Sequence, residues 1–453
     1  MKVVIVGASH GGHEAAVELL DKYTDMDVTI YEQGDFVSFM SCGMQLFLED
    51  KVTGVDDVRN FRPDKIEAKG GKVLSRHQVT AIDLHKKTVS VKNLVSGDTF
   101  IDTYDKLILS SGVNPATLPI KGNELDNIYL MRGRDWALKL REKLHNPLVK
   151  NVVVIGTGYI GVEAAEVFRQ AGKHVVMLDL IKHPLGIYLD TELTKLIEED
   201  LVKHGIELGM EATITEFVGD TEVSSVKTST QEYPADLVIV AAGVKPNTDW
   251  LRGVIKVTDR GNIATDEYLR TSNKDIYALG DAILPLNMAA QMHGGPVALA
   301  SATRREAQYV ANHITETIPS RPFAGVLGSS ALSVFDYKFA STGLNETTAE
   351  RFEIEVQGSF YEDTLRPSFV KNDGNVKAYV KLIYAPATHK ILGGQVMSTY
   401  DITAHANTIA LAIKGGMTLE DLAEADFFFQ PGFDRQWSLL NLAAKHALGE
   451  AAF

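Results

Sequence analysis

The sequence predicts an α/β chain with two Rossmann-like nucleotide-binding domains, followed by an α+β C-terminal domain. Three observations predict it. A strand, a glycine-rich turn, a helix and a second strand running into an acid occupy residues 2–32, and the same pattern returns at 151–179. Each unit is followed by another apolar strand that runs into glycine, at 106–112 and 237–243. From about Pro322 apolar and polar residues alternate, the mark of an antiparallel sheet.

In the first unit the apolar run Lys2–Val6 leads into Gly7-Ala8-Ser9-His10-Gly11-Gly12, and a helix follows with Ala15, Ala16, Leu19 and Leu20 on one face. Gly7 and Gly12 hold the outer positions of a G-x-G-x-x-G turn, Ser9 replaces the middle glycine, and Gly11 is additional. The next strand, 28–31, leads into Glu32, placed to bind ribose hydroxyls. A short strand within 275–281 ends in Gly280-Asp281, a second carboxylate of the kind that binds a ribityl chain. Turn, Glu32 and Asp281 together imply FAD on this unit. The plain alternative for Asp281 is a turn or cap residue.

The second glycine motif is complete. Gly156 permits the tight turn, Gly158 lets the backbone approach a pyrophosphate, and Gly161 allows close packing of helix on strand. The helix start offers unpaired N–H groups and a positive dipole end to phosphate. Asp179 follows the next strand, suits a free ribose and repels a 2′-phosphate, so NADH is expected over NADPH. Beyond Pro322, alternating strands at 376–382 and 391–396 are followed by helices at about 402–414 and 435–448.

Cys42 is the only cysteine of the 453 residues. It has no internal disulfide partner, so redox chemistry at its sulfur runs through a thiolate, a sulfenic acid or a mixed disulfide. Otherwise it is a small buried hydrophobe. Reactivity calls for a lowered pKa, from a helix starting at Gly43, a cation or a protonated histidine. His10 lies inside the phosphate loop, where it either stabilises a thiolate and bonds a peroxide oxygen or is simply tolerated. Glu14, one turn on, is expected to orient it, and His13 is expected at the surface.

Composition narrows the function. A net charge of −14 and a pI near 5.4 argue against nucleic acid as a partner. No uninterrupted apolar run reaches the roughly 18 residues of a membrane span. The first strand starts at the N-terminus with no signal peptide before it, and a lone cysteine suits a reducing cytoplasm. No metal-ligand set is assigned.

These motifs, with the segments 34–45, 127–134, 156–166, 329–343 and 425–431, resemble the bacterial NADH peroxidase and NADH oxidase family of FAD-dependent pyridine nucleotide–disulfide oxidoreductases. The resemblance implies a thiolate–sulfenic acid cycle at Cys42, with His10, Glu14 and Arg304 as its partners; adjacent Arg305 leaves that arginine open by one position. It implies that Tyr159 moves when NADH docks beside Glu163, that Tyr188 contacts the adenosine side, and that backbone amides near Val297 and Ala298 face the flavin pyrimidine. Ser41, Arg132, Ile160 and Gly243 complete the expected cofactor contacts. The implied domains are FAD-binding at 1–119 and 250–325, NAD-binding at 120–249, and a dimer-interface domain at 326–453 whose run Phe427-Phe428-Phe429 closes the partner's active site in a homodimer or homotetramer.

Asp35-Phe36 before the cysteine segment and Met44-Gln45 after it resemble peroxidase more than oxidase. The expected activity is therefore reduction of hydrogen peroxide by NADH. Water-forming reduction of dioxygen is the alternative, and coenzyme A disulfide reductase or a non-catalytic redox sensor are more distant readings.

Overall fold

The structure, a computed structural model, describes residues 1–59, 61–295, 297–371 and 375–450. Its first sheet is parallel, in the order Ile276–Ala278, Lys106–Leu109, Lys2–Val6, Asp27–Tyr31, Lys72–Leu74. Its second sheet repeats the plan, in the order Ile206–Gly209, His174–Leu178, Asn151–Ile155, Leu237–Val240, Ile128–Leu130. In both, the strand entering the glycine turn is central and its neighbour runs into the acid. Turn and acid therefore meet at the carboxyl edge of the sheet, where open α/β sheets bind ligands. These strands are continuous apolar runs because both faces are covered; Val3, Val4, Ile5, Val152, Val153 and Val154 are fully buried. The return of 276–278 to the first sheet physically joins the segment after the second unit to the first.

The duplication goes further than the sequence suggested. Each unit carries a three-stranded antiparallel insert, His77–Asp83 with Thr88–Asn93 and Thr99–Thr103 in the first, Ile214–Gly219 with Val223–Thr228 and Glu232–Pro234 in the second. The segments that follow the Lys106–Leu109 and Leu237–Val240 strands, one carrying Asn114-Pro115 and the other Pro246-Asn247, pair with each other. Val113–Pro115 and Val244–Pro246 form a two-stranded antiparallel link between the units.

The C-terminal sheet is antiparallel, in the order Ser330–Val334, Tyr337–Gly343, Ile391–Ser398, Lys377–Tyr384, Gln357–Thr364. The two expected helices are observed at His405–Gly415 and Leu439–Ala447. Both start later than the sequence suggested. Asp401 accepts from the backbone N–H and the hydroxyl of Thr403, making a turn before the first. Ser438 and Asn441 form a capping box that sets the start of the second. Phe427 packs partly into this domain's core, whereas Phe428, Phe433 and Trp437 are exposed. No helix among the described residues is long and apolar enough to cross a membrane.

Candidate active site

The two glycine turns are built alike. Gly7 and Gly156 take φ of +96° and +100°, and a Cβ on either would stand 2.3 Å from a carbonyl oxygen, of Ser110 or Ala241. A Cβ on Gly12 or Gly161 would stand 1.9 Å from the oxygen of Gly7 or Gly156. The acids clamp these turns. Glu32 accepts from the Ala8 and Gly34 N–H groups, each at 2.7 Å. Asp179 accepts from Thr157 N and Oγ1 and from Leu180 N, also at 2.7 Å. Gly11, which the motif left unexplained, is a packing residue: a Cβ there would meet Leu279, Ser110 and Thr303 at 2.2–2.8 Å.

A cavity of about 540 Å³ opens at the first turn, lined by Gly7, Ser9, Glu32, Ser111, Arg132 and Trp250 among others. The buried Ser111 hydroxyl has no hydrogen-bond partner among the described residues. With the start of the 13-residue His10–Lys22 helix and the Glu32 carboxylate, it offers the donor and acceptor set that a dinucleotide such as FAD requires. Asp281 receives Arg132 at 3.2 Å, and Gly133 N donates to Ser41 Oγ at 3.2 Å. The Arg132-Gly133 segment thus ties the Asp281 turn to the cysteine segment. Val297 packs against the core of the first unit, and Ala298 is exposed just before the Ala300–His313 helix. On the second unit, Ile160 is half-buried against the core; Gly243, at φ +107°, borders open space and its carbonyl accepts from Ala116 N at 2.9 Å.

Cys42 is exposed, in the turn Ser41–Gly43 that precedes the short Met44–Leu48 helix. It is therefore not a packing cysteine. Its thiol edge reaches solvent, but the protein behind it pushes its pKa up; Glu163 adds to that and Arg132 opposes it. The lowered pKa that reactivity calls for is thus not supplied by these groups. Burial lowers the pKa of His10, Asp281 raises it, and Arg304 and Arg132 lower it further, so these groups disfavour its protonated form.

Glu14 accepts from Arg304 Nε at 2.9 Å. The bond distinguishes the two arginines, because Arg305 is exposed. Arg304 also lies over the Phe61 ring, 5.5 Å from its centroid. His13 is not at the surface. It is fully buried, stacks on Phe61 at 5.5 Å, and bonds Ala8 O through Nδ1 at 2.8 Å; burial pushes it down to about 4.

On the second unit the Tyr159 and Tyr188 rings stack at 3.9 Å, and the Tyr159 hydroxyl meets Ser330 Oγ of the C-terminal domain at 2.7 Å. Burial, then Glu166 and Glu49, push Glu163 up to about 7.

Sequence reasoning missed a second buried acid. Glu306 is 2% exposed, and its Oε2 accepts from Gly280 N at 2.6 Å, fixing the turn that carries Asp281. Burial, with a smaller push from Asp281, raises it to about 8 against the Gly280 bond. The folded chain thus holds this proton more tightly than the unfolded one. Its contribution to stability is full below the unfolded pKa of roughly 4.3 and is lost as pH rises toward 8. Glu306→Gln keeps an acceptor for Gly280 and removes the titration. It should melt close to the wild-type temperature at pH 5 and several degrees higher at pH 8; an equal difference at both pH values in thermal denaturation would count against this account.

The comparisons agree with this architecture. The family model described as pyridine nucleotide-disulphide oxidoreductase matches residues 1–306, and the model for its dimerisation domain matches 329–439. The chain is 38% identical to an NADH oxidase of Enterococcus faecalis over 99% of both chains, and 32% identical to one of Streptococcus pyogenes over 98% of both. The solved structure of a water-forming NADH oxidase from Lactobacillus brevis bound to NADH superposes with a TM-score of 0.94 at 34% identity, covering 99% of this chain and 98% of that one. The chain belongs to the FAD-dependent pyridine nucleotide–disulphide oxidoreductases. Within that family it is an NADH-dependent flavoprotein oxidoreductase.

Proposed function

We propose that the protein is a water-forming NADH oxidase, catalysing 2 NADH + 2 H⁺ + O₂ → 2 NAD⁺ + 2 H₂O. The observation that carries this reading is an exposed, solitary Cys42 within a chain similar from end to end to NADH oxidases. The residues behind the peroxidase expectation are engaged in structural roles. Asp35 pairs with Arg76, the Arg59 and Arg134 guanidiniums lie over the Phe36 ring, Met44 is fully buried, and Gln45 bonds Glu49 and Glu166. They therefore give little reason to prefer peroxide over dioxygen as the substrate.

Bound FAD supplies the two-electron chemistry between NADH and oxygen, and Gly7, Ser9, Gly12, Glu32, Ser41, Arg132 and Asp281 would hold it. Cys42 removes peroxide. Its thiolate, the minor form because burial raises the thiol pKa, attacks one oxygen, the O–O bond breaks, and with one proton the products are a sulfenic acid and water. Two further electrons from NADH and a second proton return the thiolate and release water. With no second thiol to condense with, the sulfenic acid persists until it is reduced. His10 serves as a hydrogen-bond partner for the oxidant, and Arg304, held by Glu14, keeps positive charge beside it. The match to a dimerisation domain and the exposed Phe428, Phe433 and Trp437 support self-association through the C-terminal domain.

An oxygen electrode tests the proposal. The purified holoenzyme should consume two NADH per O₂, and added catalase should return no oxygen. One NADH per O₂ with accumulating peroxide, or anaerobic oxidation of NADH by H₂O₂ much faster than by O₂, would overturn it.

A further inference from the structure

The loop between the His174–Leu178 strand and the Thr191–Lys203 helix carries Tyr188. Its ring stacks on Tyr159 and lies 3.7 Å from where a Cβ on Gly158 would stand. It thus covers the glycine at which a pyrophosphate must approach. The middle of the loop is fixed within its own domain, where Leu185 N donates to Thr157 O at 2.9 Å.

The end of the loop is fixed by a different domain. Asp190 is the N-cap of the helix, yet its side chain makes no cap bond, although an aspartate there ordinarily accepts from the helix's own N–H groups. Here the carboxylate turns to the C-terminal domain. It accepts from Gln395 Nε2 at 2.6 Å and from Glu346 N at 2.9 Å, while Asp190 N donates to Gln395 Oε1 at 2.8 Å. Asp190 and Gln395 are 4% and 1% exposed, so water does not compete for these bonds. Asn345 Nδ2 adds a longer contact to Ile187 O, at 3.4 Å.

We propose that Gln395 is a positioning residue for NADH: by gripping Asp190 it holds the Tyr188 loop over the second glycine turn, so the C-terminal domain sets the affinity for the dinucleotide. This rests on the NADH reading and not on the identity of the electron acceptor. The grip is separable from the docking of the two domains. Lys381, the register partner of Gln395 in the sheet, pairs with Glu192 of the Thr191–Lys203 helix at 2.7 Å, and this ion pair bridges the same seam beyond the end of the loop; its second pair, with Glu346 at 2.9 Å, lies within the C-terminal domain.

A donor–acceptor swap tests it on the holoenzyme. Asp190→Asn sets the new amide against the Gln395 amide. Losing a buried charge-assisted bond should weaken NAD⁺ binding, measured by calorimetry, and raise KM for NADH by about tenfold each. kcat should stay within about twofold, since the loop does not touch the reacting atoms. FAD content and flavin absorbance should stay unchanged. Adding Gln395→Glu to Asp190→Asn re-creates all three bonds with the roles reversed and should restore binding. An unchanged NAD⁺ affinity in Asp190→Asn, a double variant that does not recover, or parallel loss of kcat and FAD in the single variant would overturn the proposal. The readout is dinucleotide affinity, so it is distinguishable from any failure of the oxidase reading, which appears in the product.

Discussion

Replacing Cys42 by serine should change the product of the enzyme without stopping oxygen consumption. The ratio of NADH to O₂ should fall from two to one, and catalase should return half of the oxygen consumed. The physical reason is that the thiolate is the nucleophile toward peroxide, and a serine hydroxyl at neutral pH supplies no comparable anion. NADH oxidation driven by added H₂O₂ should drop by roughly 100-fold or more, the scale on which loss of an essential nucleophile is felt. Cys42 is exposed and its swap for serine is nearly isosteric, so the cavity that would hold FAD is not disturbed. The variant should stay yellow at full flavin content. A serine variant that still forms only water would remove Cys42 from the chemistry, and one that loses FAD would give it a structural role.

Legibility of the site followed the kind of constraint acting on each residue. The glycine turns and their acids were readable because steric and electrostatic demands fix residue type at short spacing: Gly161 five residues after Gly156, Asp179 beside Thr157 through one strand pairing. Features that depend on distant partners were not. Asp190 and Gln395 are 205 positions apart, and nothing local distinguishes Asp190 from an ordinary helix cap. Glu306 reads as one more polar residue on an amphipathic helix until its bond to Gly280 is seen. His13 was misplaced because a histidine beside an exposed loop is usually at the surface, whereas the Phe61 ring and the Ala8 carbonyl enclose this one. The peroxidase preference rested on Asp35, Phe36, Met44 and Gln45, whose side chains are taken up by packing and ion pairs, while the relatives named NADH oxidase favour the alternative.

Gly161→Ala should abolish productive NADH binding while leaving FAD in place. The added methyl would stand 1.9 Å from the Gly156 oxygen and 2.9 Å from its carbonyl carbon, so the obstacle is backbone and no side-chain rotation relieves it. Gly156 itself has no room to retreat. Its N–H donates to Leu178 O at 2.8 Å, its own Cβ position lies 2.3 Å from Ala241 O, and the strand leading to it is paired on both sides. The Tyr159–Gln170 helix must therefore lift from the sheet by more than an ångström. Its first N–H groups then leave the phosphates, and a displacement of that size costs on the order of 100-fold in a positioned reaction. Overpacking of this kind also lowers stability by about 1–3 kcal/mol, which should appear as an earlier melting step of the NAD-binding unit. The first unit has its own sheet and its own glycine, so flavin content should remain at the wild-type level. Dithionite should still bleach the flavin of Gly161→Ala, whereas NADH should not. Gly12→Ala, with its methyl 1.9 Å from the Gly7 oxygen, should do the reverse and yield protein without FAD. Wild-type NAD⁺ affinity in Gly161→Ala would mean that helix and turn are not in the contact described.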